Sequence, residues 1–432
     1  MLKRDLMQSL EAWRQADPHK PILLRGARQV GKSWLVREFG KSFSHFVEIN
    51  FEKQPEPKLF FQQDLDVRTL IDKLSLYTQK IIKPKETLLF FDEIQECERA
   101  IIALRYFKEE MPDLHVIAAG SLVDFALETT GVPVGRLSYL FLHPLSFAEF
   151  LTGIGRHDLR EYVLTQPIDA VFHQQLLEHV KEYFWLGGMP EVVETWVRTH
   201  DADRCQDIQG DIINTYQQDF AKYIKRFQLD KLDKVFNAIP TQLGQKFVYK
   251  QMDPEMRSNV LKTALHALQK AGVIHIAYHT TAQGLPLAGS RNEKRFKVYF
   301  LDIGLAQRLL GVSRRDLLTV PMNVKYLGGI AEQFVAQNYI AGSSAKQSAA
   351  LYYWHREEKF SNAEVDFVFL KGGDIIPVEV KSGATGSLKS MRLFLEMHQQ
   401  SPYGLRVSEL PFSIHKDLHT IPFYGIEAWL KQ

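Results

Sequence analysis

The stretch that most restricts what this chain can fold into is Gly26-Ala27-Arg28-Gln29-Val30-Gly31-Lys32-Ser33, set between the short apolar run Pro21–Leu24 and a helical pattern over Trp34–Phe39. An apolar run feeding a glycine-rich turn that opens a helix is a strand, loop and helix unit, and it commits this part of the chain to an α/β fold. The glycines let backbone N–H groups close around phosphate oxygens, and the helix N-terminus adds the positive end of its dipole. On this reading the loop from Gly26 through Ala27, Arg28, Gln29, Val30 and Gly31 to Trp34 cradles the phosphates of ATP. Lys32 reaches the β- and γ-phosphates and Ser33 ligates magnesium. The competing reading, a glycine-rich turn ending in a solvated lysine, is disfavoured by the strand and helix on either side.

Leu88-Leu89-Phe90-Phe91-Asp92-Glu93 is a continuous apolar run ending in two acids, the pattern of a central strand buried on both faces. Ligands of open α/β sheets bind beyond the carboxyl ends of strands, so Asp92 is expected to hold the metal and Glu93 to orient or deprotonate the attacking water. The alternative is a polar loop after a core strand. Leu114–Ala119 reads as the next strand and ends in Gly120-Ser121. Two readings of Ser121 stand side by side: a hydroxyl beside the γ-phosphate, or an N-cap for a helix over 122–127. Arg136 is a candidate to supply charge to a transition state across a subunit boundary, and equally reads as a surface arginine on a strand.

The chain's 432 residues are enough for roughly two to four domains. Hydrophobic residues at 45% and charged residues at 24% are globular proportions. No apolar run approaches membrane-crossing length, so a soluble protein is expected. Residues 1–14 place Leu2, Leu6, Leu10 and Trp13 at helical spacing and lack a signal-peptide core, which predicts a first helix. Cys97 and Cys205 are the only cysteines, which excludes a disulfide framework and a cysteine-paired zinc site and points to the cytoplasm. The net charge of +2 neither demands nor forbids nucleic acid.

Arg25–Ser33, Phe91-Asp92-Glu93-Ile94-Gln95, Ala119-Gly120-Ser121, Pro144-Leu145-Ser146-Phe147 and Leu186-Gly187-Gly188-Met189-Pro190 together resemble a prokaryotic AAA-type P-loop ATPase family, over nearly the whole chain. That family also carries a C-terminal domain of unknown function similar to restriction-endonuclease folds. Ser33 stands where the family usually has Thr, and Leu122 where it has a polar residue after the Gly-Ser pair. The resemblance implies an AAA-type parallel-sheet core and a C-terminal restriction-endonuclease-like α/β domain, in a homo-oligomer, and the residue pattern between them is read as a helical lid and a winged helix. The expected boundaries are 1–155, 156–230, 231–315 and 316–432.

From Phe147 to about Phe227 the pattern is helical, clearest at 172–177 and 212–225 and interrupted at Gly187-Gly188. Helices followed by the strands 271–278 and 296–301 suggest the winged helix. Ser258–Lys270 is then its recognition-type helix, with Asn259, Lys262 and Lys270 outward, and the hairpin contributes Arg291, Lys294, Arg295 and Lys297. Such groups either contact DNA phosphates or are simply solvated.

Glu364–Leu370, a turn over 371–374 and Ile375–Lys381 read as a β-hairpin. If Gly372 and Gly373 are the turn residues, Asp366 lies opposite Glu379 and Glu364 opposite Lys381, all on one face. Two opposed carboxylates destabilise a sheet unless a cation or proton sits between them, and a divalent metal resolves the conflict. The resemblance supplies the roles: Asp366 and Glu379 hold magnesium, Lys381 polarises water or stabilises charge, and Glu332, in a helix over 330–339, is the additional acid. A second reading is a surface hairpin with a Glu364–Lys381 pair and Asp366 turned elsewhere by a shifted register or bulge, and a third is a domain that binds a protein or nucleic acid and never cuts.

Overall fold

The computed structural model describes residues 2–62, 64–130, 135–165, 169–220, 229–248, 256–319, 324–357, 363–383 and 386–431. The chain divides into two compact units. One comprises residues 3–143 with 344–348, the other residues 1–2, 144–343 and 349–432.

The first unit opens with α1 (Leu6–Gln15), which buries Leu6, Leu10 and Trp13 as its spacing predicts. Strands β1 (Ile22–Arg25), β2 (His45–Asn50), β3 (Thr87–Asp92), β4 (His115–Ala119) and β5 (Ser138–Phe141) form one parallel sheet in the order β2-β3-β4-β1-β5. The apolar run of β3 is fully buried because helices cover the sheet. On α4 (Glu98–Glu110), Ala100, Ile101, Ala103, Leu104 and Phe107 share a core with Leu89, Phe91 and Val116 of the sheet. Since β4 lies between β1 and β3, the segments after β1, β4 and β3 open side by side at one sheet edge. Those segments are the glycine-rich loop, Gly120-Ser121 and Glu93.

The second unit holds the helices between Phe147 and Asp219. The expected helix over 212–225 runs as far as Asp219 within Ala202–Asp219, and residues 221–225 lie outside the described residues. A helix spans Ser258–Lys270 as its periodicity predicts, with Leu261, Ala264, Leu265 and Leu268 buried. Strands β6 (Ile274–Thr280) and β7 (Arg291–Phe300) form the expected hairpin, but β6 also pairs in parallel with β8 (Leu351–His355). The strand pairing thus crosses the boundary expected between residues 315 and 316. β9 (Glu364–Val365) completes this sheet in the order β7-β6-β8-β9. A second sheet joins β10 (Phe367–Lys371), β11 (Asp374–Val380), β12 (Gly404–Ser408), β14 (Leu418–Pro422) and β13 (Ser413–His415), in that order.

The helix Val324–Gly342 is the polar spine of the second unit. Gln333 exchanges two 2.8 Å hydrogen bonds with the Phe300 backbone. Gln337 accepts from Ile303 N–H at 2.8 Å, and Asn338 accepts from Phe147 N–H at 2.7 Å. Each satisfies a backbone group that burial would otherwise strand, at a cost of about 1–3 kcal/mol apiece. Two sequence blocks singled out above meet here, for Leu145 N–H donates to Gly188 O at 2.7 Å. Gly188 N–H donates to Asp302 at 2.6 Å. Gly187 has a positive φ of 74°, and a Cβ there would overlap the Asp302 carboxylate. The Gly-Gly interruption is therefore a close-packing device.

Candidate nucleotide site and the C-terminal charge cluster

The glycine-rich loop turns on two backbone conformations that favour glycine, φ 149° at Gly26 and 94° at Gly31, and a Cβ on Gly26 would overlap the Leu142 carbonyl. α2 (Lys32–Gly40) begins directly after it with no side chain capping its N-terminus. The first N–H groups of α2 are thereby left to a ligand, and its dipole end favours an anion. Arg4, from the segment before α1, donates to Val30 O at 2.8 Å and to His143 O at 2.6 Å, so a buried guanidinium clamps the loop from behind.

Lys32 is buried and folds back on its own loop, donating to Gly26 O at 2.9 Å and Ala27 O at 2.7 Å. Burial pushes its ammonium down to about 8, against the pull of Glu93 and Asp92 and with a further push from Arg28. Ser33 Oγ donates to Asp92 Oδ1 at 3.0 Å, and Asn50 Nδ2 donates to Asp92 Oδ2 at 3.1 Å. Burial raises the Asp92 carboxyl, and the Ser33 hydroxyl opposes that rise. Glu93 takes a left-handed conformation, φ 49°, immediately after β3, and Gln95 Nε2 donates to its carboxylate at 2.6 Å. Strain of this kind persists where the surrounding structure holds a side chain in a required direction.

Ser121 is buried and its hydroxyl makes no hydrogen bond, so it does not cap the following helix, which starts at Val123. Gln95 Oε1 is likewise buried without a partner, and the Gln95 amide packs on Gly120, where a Cβ would overlap it. The serine hydroxyl and Asp92 carboxylate are hard oxygen donors of the kind magnesium takes, and the orphaned Ser121 hydroxyl is a ready donor to a phosphate. The residues present therefore fit magnesium-bound ATP. Ala27, Arg28, Gln29 and Trp34 lie where expected, along the loop and the first turn of α2. Arg136 is elsewhere: its Nε meets Glu109 Oε1 of α4 at 2.9 Å with its side chain about half exposed. Sequence alone assigns no role to Asn50, Gln95 or Arg4. A polar residue ending the strand beside β3 was the signal for Asn50, and Gln95 stood within a quoted motif, but nothing local marks Arg4.

In the second unit the hairpin register is as derived: Phe367 to Lys371 pair with Val378 to Asp374 around Gly372-Gly373. It stops at Phe367, which corrects the expectation for Glu364. The chain bends at Asp366, and Glu364 pairs with His355 of β8 in place of Lys381. Asp366 Oδ2 accepts from Val380 N–H at 2.8 Å, while Lys381 Nζ donates to Glu379 at 2.5 Å. Burial and the neighbouring Asp366 raise the Glu379 carboxyl.

The largest departure concerns Lys297, expected to face solvent or DNA. Its side chain is 0% exposed, and Nζ lies 3.0 Å from Glu332, 2.8 Å from Glu364 and 3.6 Å from Asp366. Strand alternation fails as a guide because Phe296–Phe300 is covered on both faces. Tyr299 OH also donates to Glu332, at 2.8 Å. Burial disfavours the Lys297 ammonium, but Glu332, Tyr299, Asp366 and Glu364 outweigh it and raise the pKa well above the ordinary value. Of the other basic hairpin groups, Arg291 pairs with Glu293 and Arg295 with Glu357. Among the described residues no group of three or more His, Cys, Asp or Glu is arranged to hold a metal ion, so Glu332, Asp366 and Glu379 are not drawn together as a three-ligand set. Among those residues no helix is long and apolar enough to cross a membrane.

Three family matches divide the chain: an AAA domain over residues 18–151, a domain of unknown function (DUF8612) over 177–316, and another (DUF4143) over 327–425. The uncharacterized proteins Rv2008c of Mycobacterium tuberculosis and Mb2031c of Mycobacterium bovis are each 24% identical over 375 residues, 86% of this chain and 72% of theirs. Among solved structures, the Walker-type ATPase PABY2304 of Pyrococcus abyssi aligns with TM-score 0.47 and 16% identity, covering 72% of this chain and 96% of its own. The Aeropyrum pernix Orc1 protein, solved in complex with DNA, aligns with TM-score 0.28 and 11% identity, covering 71% and 90%.

Proposed function

From the AAA-type P-loop ATPase domain that residues 18–151 form, we propose that this chain hydrolyses ATP with magnesium, and that nucleotide state sets how the rest of the chain engages a protein or nucleic-acid partner. The observation that carries the hydrolytic part is the placing of Ser33 on Asp92 with Glu93 held by Gln95 just beyond it. A purely structural nucleotide site has no use for a fixed carboxylate past the metal-binding acid. Magnesium, when bound, neutralises charge on the phosphate oxygens. Lys32 exchanges the Gly26 and Ala27 carbonyls for phosphate oxygens, and its ammonium gains from the negative charge. Ser33 and Asp92 present the oxygen pair that holds the cation. Glu93 accepts a proton from the attacking water, with Gln95 fixing the carboxylate, and the Ser121 hydroxyl donates to the terminal phosphate.

The regulatory half of the reading is favoured over cleavage by the Lys297 contacts with Glu332 and Asp366, two of the three acids on which metal-dependent cutting would depend. Phosphate release with magnesium, measured for the natural chain, Lys32→Ala and Glu93→Gln, tests the hydrolytic part. Hydrolysis by Lys32→Ala at the natural rate sinks it. Retention of DNA or of a protein partner that is the same with ATP, with ADP and without nucleotide sinks the coupling.

A further inference from the structure

The carboxylates of the C-terminal cluster come from three places: Glu332 from the helix Val324–Gly342, Glu364 from β9, and Asp366 from the bend between β9 and β10. Their common neighbour is neither water-facing nor acidic. Lys297 arrives from β7, outside the hairpin whose acids drew attention in the sequence, and its Nζ stands 2.8–3.6 Å from all three. The site is built around it, with Tyr299 OH on Glu332 and the Tyr353 ring 5.5 Å from Nζ. Lys246 meets the other Glu364 oxygen at 3.1 Å. The second oxygen of Asp366 is taken by Val380 N–H and Glu379 Oε1 by Lys381, while Glu379 Oε2 is buried without a hydrogen-bond partner.

We propose, resting on the function proposed above, that Lys297 is a built-in cation standing among Glu332, Glu364 and Asp366 where a divalent metal would otherwise bind, so that this unit binds its partner without metal-dependent cutting and conceals a latent metal site beneath the lysine. Two physical points carry this. An ammonium is satisfied by oxygens near 3 Å, whereas magnesium needs about 2.0–2.1 Å and most of six oxygens. The spacing seen here is the lysine's. Carboxylates gathered in a buried place also demand a counter-charge, and one already supplied covalently repels a second, doubly charged ion placed beside it. Without the lysine the acids lose that counter-charge, and a divalent ion is left to supply it.

The test is Mn2+ titration of the nucleotide-free full chain by calorimetry, with Tm read with and without Mn2+, for the natural protein, Lys297→Met and Lys297→Met with Asp366→Asn. Methionine keeps the length of the lysine stem and removes the charge. The expected result is no Asp366-dependent Mn2+ site in the natural protein. In Lys297→Met a site appears, with Kd of about 10⁻⁴ M or tighter and a Tm raised by Mn2+, and it is lost when Asp366→Asn is added. Ions held at the glycine-rich loop are told apart by their loss in Ser33→Ala. Mn2+ binding by the natural protein that disappears in Asp366→Asn overturns the proposal, as does plasmid nicking that needs Asp366. A folded Lys297→Met that gains no Mn2+ site also overturns it. If Lys297→Met does not fold, the natural protein compared with Asp366→Asn decides by itself.

Discussion

Ser33 Oγ donates a 3.0 Å hydrogen bond to Asp92 Oδ1, joining the first turn of α2 to the last residue of β3 across an intervening strand. The two are 59 positions apart in sequence. The sheet order alone brings them within reach. Asp92→Asn keeps the shape and hydrogen-bonding capacity of the pair and removes the charge that a metal requires. Its hydrolysis is expected to fall on the order of 100-fold or more, with near-natural Tm, in a phosphate-release assay run beside a melt.

Glu93 and Gln95 separate binding from chemistry. Glu93→Gln is expected to bind ATP with near-natural affinity and hydrolyse it about 10²–10⁴-fold more slowly, the range for loss of a general base. Gln95→Ala frees the same carboxylate without removing it, so its kcat should fall by about tenfold while KM stays close to natural. Equal kcat in Gln95→Ala and the natural chain would show that the 2.6 Å contact does not position the base.

Arg4 reaches the loop from outside the nucleotide cradle, by way of the Val30 and His143 carbonyls. A hydrogen bond from a charged donor contributes about 1.5–3 kcal/mol. Arg4→Ala should therefore weaken ATP affinity by roughly tenfold or more and lower the Tm of the first unit. Equilibrium binding of a fluorescent ATP analogue is the readout, and unchanged affinity would show that the clamp is dispensable.

Glu332 sets a pH dependence in the second unit. Burial raises its carboxyl to about 8, with Asp366 adding to the rise and Lys297 and Tyr299 opposing it. The folded state thus holds this proton more tightly than the unfolded chain, where Glu titrates near 4.5. The stabilisation is full below that value and is lost as pH rises from it toward about 8. Glu332→Gln, which cannot ionise, should flatten that part of the curve of denaturation midpoint against pH. Parallel curves for the two proteins would rule the group out as the source.

The first unit was largely legible because its instructions are local. An apolar run before glycines and a lysine, and another ending in two acids, each state strand, loop and ligand chemistry in one short window. The hairpin register around Gly372-Gly373 followed from turn geometry and held from Phe367 to Lys371. It failed one residue further, because at Asp366 the chain leaves that partner for β8, a choice made by a strand with no local signature in the hairpin.

The sequence by itself therefore determined the strand, glycine-rich loop and helix, the acids that end β3 and the turn that folds Asp366 back toward Glu379, since each depends on neighbours along the chain. Tertiary structure alone decided that Arg4 backs the loop, that Ser121 keeps an unpaired hydroxyl, and that Lys297 is buried among Glu332, Glu364 and Asp366. A charge surrounded by charges on one strand reads as solvated. Whether it lies in water or among carboxylates depends on which distant elements pack over it, and no local pattern encodes that.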